Sequence, residues 1–167
     1  MPSFRCTKKV LDQLGVKPEE NIDSDGNDWH VNLIWVDRKK LILFCSDETL
    51  FCCVTPPVSK SEIRSLEMVF HDALEQAMRF EGFSQNSIDY SLSIFQDMSI
   101  QKTNNRSVLG SMTDYAFHLE YWIEATGGLE NCDFGTAMHR LNEIPQVKRD
   151  FYNASDAFKK KLIHGIA

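Results

Sequence analysis

The chain has 167 residues, 43% of them hydrophobic, and a formal net charge of −6 at pH 7. A chain of this length and apolar content buries a real core, which excludes a disordered tail. The acidic balance excludes a protein that grips nucleic acid over its whole surface, and no apolar run is long enough to cross a bilayer.

Residues 3–7 read as a short strand, and a helix follows from Lys8 to about Gly15. Residues 16–28 are polar and rich in turn formers, with 23–28 the clearest loop. Asp25-Gly26 within it lacks the ligand spacing and closing glutamate of a calcium loop. Three strands come next, at 29–37, 41–46 and 50–55, separated by short polar breaks that predict an antiparallel meander. The second and third are almost continuously apolar, so both of their faces are expected to be covered. Pro56-Pro57 stops the run because proline cannot donate to a strand ladder.

Apolar residues then recur at helical spacing over 59–81, with Gly82 placed to end the helix. A second helix is predicted over 84–97, and a short strand, with the character of an edge, over 99–103. Further helices are predicted over 107–126, 133–144 and 155–164, the first stopped by Gly127-Gly128 and the second by Pro145. The expected fold is therefore one α+β domain over 1–167. An antiparallel meander of about four to five strands is covered by five to six helices concentrated in the second half.

The five cysteines form no Cys-x-x-Cys pair, and Cys52 and Cys53, adjacent in a strand, point to opposite faces. Reduced, buried thiols are expected, with no metal site or disulfide framework. With no apolar leader at the N-terminus, the expected compartment is the cytoplasm.

The most informative stretch for function is Lys102 to Met112. It places Lys102, Asn104, Asn105, Arg106 and Ser107 where a strand hands over to a long helix. The first turn of a helix carries unpaired N–H groups and the positive end of its dipole, so these residues form a candidate anion-binding corner. No glycine-rich loop precedes the helix, which removes the P-loop and dinucleotide readings, and no cofactor is expected. A helix merely well capped by Asn105 or Ser107 explains the same residues without a ligand.

Two histidines stand beside this corner in the reading. Asp114 lies four residues before His118 on one side of the helix, a spacing that can orient an imidazole. Alternation places Asp28, His30 and Asn32 on one strand face, polar at one end and apolar farther along, as a pocket mouth would be. A surface acid–histidine pair and a histidine packed at the sheet end are the plainer readings of the same residues.

Phe4-Arg5-Cys6-Thr7-Lys8-Lys9, Trp29-His30-Val31-Asn32-Leu33 and the stretch Thr103 to Met112, together with the turn Gly127 to Asn131, resemble an uncharacterised bacterial and archaeal domain family of about this length. The resemblance covers nearly the whole chain and implies no activity or site residues.

Three functions follow as expectations. The first is a small binding or regulatory domain with a pocket built from the Lys102–Ser107 corner, His118, His30 and Asn32, whose ligand is a nucleotide, a phosphorylated metabolite or a nucleic-acid backbone. The second is a hydrolase or nuclease-like enzyme using His30 or His118 as the acid–base group and Arg106 to stabilise negative charge. The third is a protein-interaction module such as a toxin–antitoxin or defence component.

Overall fold

The computed structural model describes residues 2–147 and 149–166. Among these residues are a five-stranded sheet and seven α-helices. The strands are β1 (Ser3–Cys6), β2 (Trp29–Val36), β3 (Lys39–Ser46), β4 (Cys52–Val54) and β5 (Ser99–Lys102). The helices are α1 (Lys8–Leu14), α2 (Lys60–Ile63), α3 (Leu66–Phe80), α4 (Gln85–Ile94), α5 (Arg106–Ala125), α6 (Phe134–Asn142) and α7 (Ala154–Ile166).

The α+β expectation holds, and the strand order β4-β3-β2-β1-β5 refines it. Only β2, β3 and β4 form the antiparallel meander. β1 lies between β2 and β5 and pairs with both in parallel. Parallel neighbours need a crossover connection, and the chain supplies two: α1 with its long loop leads from β1 to β2, and α2 to α4 lead from β4 to β5. Every residue of β1 is buried, as a strand inside the sheet requires.

Asp37 and Arg38, with φ of +50° and +63°, make the two-residue hairpin between β2 and β3. Both central residues of such a turn sit at positive φ because its twist then matches the strands. The predicted strand at 50–55 shortens to β4 because Leu50, at φ +62°, belongs to the preceding turn. The predicted helix at 59–81 is two helices. Ser59 and Glu62 cap α2 reciprocally, and the backbone leaves helical geometry at Ser65. Ile63 and Leu66 flank that break and are both buried. Three residues apart, they stay in phase across it, so apolar periodicity does not register it.

One face of the sheet carries Phe4, Trp29 and Phe44. Phe70 of α3 packs among them with ring centroids 5.2, 4.9 and 4.9 Å away, and Phe95 and Phe158 extend the cluster from Trp29. Offset and edge-to-face rings of this kind add about 0.5–1.5 kcal/mol per pair beyond their burial.

Both sheet edges are covered. On β4 the Asn142 amide accepts from Cys52 N (2.8 Å) and donates to Cys52 O (2.9 Å), filling the place of a missing strand. Along β5, Glu19 N donates to Ile100 O (2.8 Å) and Lys102 N to Asn21 Oδ1 (3.1 Å). The polar segment between α1 and β2 is thus an edge cover.

Candidate functional site

The second face of the sheet brings charged residues indoors. Strand register sets Arg5 of β1 beside His30 of β2 on one side and Gln101 of β5 on the other. Arg5 is 1% exposed. Its Nε and Nη2 lie 3.0 and 2.9 Å from Asp28 Oδ2, while Asp28 Oδ1 accepts from Ser3 N at 3.0 Å. Arg5 Nη2 also donates to Ile22 O, and Ile22 N donates to Gln101 Oε1 at 3.1 Å, which ties the edge-covering segment to this row.

Asp47, in the turn after β3, joins this row to α5. Its Oδ1 accepts from His30 Nε2 (3.0 Å) and Asn105 Nδ2 (3.3 Å), and its Oδ2 accepts from Ser24 Oγ (3.4 Å). The His30 imidazole, helped by Asn105 and Ser24, holds the Asp47 carboxyl below its ordinary value against burial, which pushes it up. Asn105 uses its other end as the helix cap: Oδ1 accepts from Ser107 N (3.0 Å) and Val108 N (3.2 Å).

The structure therefore brings His30 and Asn105 together through one carboxylate. The backbone amides of the corner are taken by the chain's own cap, and its histidine faces an acid. Ser107 Oγ accepts from Arg149 Nη2 at 3.1 Å. Asn32 turns to local structure, accepting from Thr7 Oγ1 (3.0 Å) and Leu33 N (2.9 Å). Asn104, Arg106 and Lys102 are exposed, and the Arg106 and Lys102 side chains have no polar partner among the described residues.

His118 lies elsewhere. Twelve residues of helix separate it from Arg106, about 18 Å along the axis. Its ring stacks on Trp122 with centroids 5.7 Å apart, and Asp114 makes no hydrogen bond to it among the described residues. His30, with no exposed surface, is on the sheet beneath. The acid–base arrangement expected of His30, His118 and Arg106 is not assembled.

A crevice opens on the other side of Thr103. It encloses about 710 Å³ and is lined by Cys6, Lys8, Asp12, Gly15, Lys102 and Thr103 among others. It lies at the carboxyl ends of the parallel strands β1 and β5. From there the chain departs to opposite faces. α1 follows β1 over the Trp29 face, where Lys40 Nζ donates to Gln13 Oε1 at 3.3 Å. α5 follows β5 over the His30 face, where Tyr115 lies beside Cys45 and Cys52. Open sheets take ligands where connections diverge in this way. Among the described residues, the Lys8 and Lys102 side chains have no hydrogen-bond or ion-pair partner, and Asp12 is the one acid lining the crevice. The Cys6 thiol beside them is pushed up to about 12 by burial, so it is not a nucleophile at neutral pH.

Sequence reasoning passed over Arg5, Asp47 and Arg149. Arg5 carried a signal, since a charge between Phe4 and Cys6 in a wholly inward strand has to find a buried counterion. Asp47 and Arg149 carried none: both sit in polar connections, and only folding reveals what they touch.

The chain belongs to the family described as Domain of unknown function (DUF6933), whose model matches residues 3–157. That match agrees with the resemblance drawn from the opening strand, the Trp29–Leu33 strand, the Thr103–Met112 stretch and the Gly127–Asn131 turn. No curated protein matches the chain.

Proposed function

We propose that this domain binds a small anionic ligand, a nucleotide or phosphorylated metabolite, in the crevice between β1, β5 and α1. The observation that carries the reading is a pair of lysines, Lys8 and Lys102, that have no side-chain partner among the described residues and line a hollow beyond the carboxyl ends of two parallel strands. A volume of about 710 Å³ suits a ligand of that size. Two lysines against Asp12 leave the crevice positive in a chain whose net charge is −6, so an anion is drawn to it by local field alone. The same net charge weighs against a long nucleic-acid backbone as the ligand.

The test is a calorimetric and thermal-shift screen with inorganic phosphate, nucleoside mono- and triphosphates and a short oligonucleotide. Wild type is compared with Lys8→Ala/Lys102→Ala and with Arg106→Ala. A small phosphorylated ligand should stabilise wild type, and the double lysine variant should lose about tenfold or more in affinity. If no anion stabilises wild type beyond that variant, the reading is wrong.

A second reading, a protein-interaction module, draws on Phe117 and Tyr121. They lie one turn apart on the outer side of α5 and are 70% and 63% exposed. Light scattering across concentration, with and without Phe117→Ser/Tyr121→Ser, tests whether that surface drives association.

A further inference from the structure

We propose that Glu81, His139 and Glu143 form a binding site for a divalent transition-metal ion, with Zn²⁺ the best match. No stretch of sequence announces this set, because its members come from the end of α3 and the end of α6. The fold brings one ligand atom from each within 4.8 Å of the others, close enough to share a single ion. His139 and Glu143 are four residues apart, so the helix turns both toward the same point. Glu81 meets them from α3, with its Oε1 2.8 Å from His139 Nδ1.

The donors are also held in place from outside. Ser155 Oγ donates to Glu81 Oε2 (2.8 Å), and Asn153 Nδ2 donates to Glu143 Oε2 (3.2 Å). Each carboxylate thus has one oxygen held by the segment that opens α7, as outer partners do at metal centres, and the remaining Glu81 oxygen meets His139 Nδ1, a contact that an ion would take over. Burial is one-sided. The Glu81 side chain is 2% exposed and His139 is 47% exposed, so an ion can enter from solvent and keep water in its remaining positions.

Two carboxylates set this close repel, and a dication between them would relieve that repulsion. One imidazole with two carboxylates suits Zn²⁺ better than Mg²⁺ or Ca²⁺, which favour six or more oxygens. The bound ion would join the ends of α3 and α6 to the start of α7. This site lies apart from the crevice and stands whether or not an anion binds there.

Isothermal titration of the full, tag-free chain with ZnCl₂ tests it, with circular dichroism confirming that each variant is folded. One saturable site per chain is expected. His139→Ala and Glu143→Gln, both at solvent-exposed side chains, should each weaken it by about tenfold or more, and MgCl₂ should give no comparable binding. Co²⁺ in place of Zn²⁺ should give a visible spectrum without a thiolate charge-transfer band. Absence of a stoichiometric site, wild-type affinity in both His139→Ala and Glu143→Gln, or a thiolate band that vanishes in Cys132→Ser would overturn the proposal.

Discussion

Removing the Asp28 carboxylate should be among the most damaging single changes in this protein. At 2.9 Å the Arg5–Asp28 pair attracts by about 5–6 kcal/mol at an effective dielectric of about 20. Both side chains are nearly inaccessible, at 1% and 3% exposure, so much of that attraction offsets the cost of taking the ions out of water. Once Asp28→Ala removes the anion, the guanidinium keeps its desolvation cost and loses its counterion. Ser3 N loses its acceptor as well. The expected loss is about 3–5 kcal/mol, a large part of the roughly 5–15 kcal/mol that holds a domain folded. Arg5→Met should cost a similar amount by stranding the carboxylate. The double variant strands neither charge, so its loss should fall short of the sum of the two singles by about 2 kcal/mol or more. Urea denaturation of the four proteins, with slopes compared to verify two-state unfolding, closes the cycle. Losses that simply add to within about 0.5 kcal/mol would show that the two ions do not depend on each other, and the argument for a dry pair would fail.

Two further outcomes follow from the same geometry. Asn142→Ala should cost about 2–4 kcal/mol in urea denaturation, because the N–H and C=O of Cys52 both lose their partner inside the protein; a loss under about 0.5 kcal/mol would mean that the edge of β4 is wet. Asp47 titrates below its ordinary value in the folded protein, so the stability it contributes is fully present above the unfolded carboxylate range near about pH 4 and is lost as pH falls through the folded value. Denaturation midpoints measured from about pH 6 to about pH 2 should therefore fall less steeply in Asp47→Asn than in wild type, and equal slopes would remove Asp47 from the acid limb.

Most of the elements could be read from pattern because each depends on near neighbours. The β2–β3 hairpin follows from alternation and a polar break, and the ends of α5 follow from Asn105 and Gly127-Gly128. Strand order could not be read. β5 has the edge position its short polar run suggested, but β1 and β5 are four residues each and lie 92 residues apart in the chain, and nothing local says that they pair in parallel. The site divides along the same line. Lys102 and the Asn105 cap were identified from residue type and position, whereas Asp47, Asp28 and Glu81 matter through what tertiary packing sets against them. Charges in loops look alike until the fold assigns their partners.

That assignment is why the proposed anion site is the crevice and not the start of α5. At the helix start, Asn105 has already satisfied the amides of Ser107 and Val108, and Asp47 occupies His30. An incoming phosphate there would have to displace a cap worth about 1 kcal/mol and sit against a carboxylate kept ionised by its neighbours. Across Thr103 the balance reverses: among the described residues Lys8 and Lys102 hold no side-chain partner, and Asp12 is the one acid lining the crevice with them. The contacts that cap the corner therefore leave it a poor receptor for an anion. Neutralising Asp47 should on this account leave anion affinity in the crevice nearly unchanged while loosening α5, whereas Lys102→Ala should do the reverse.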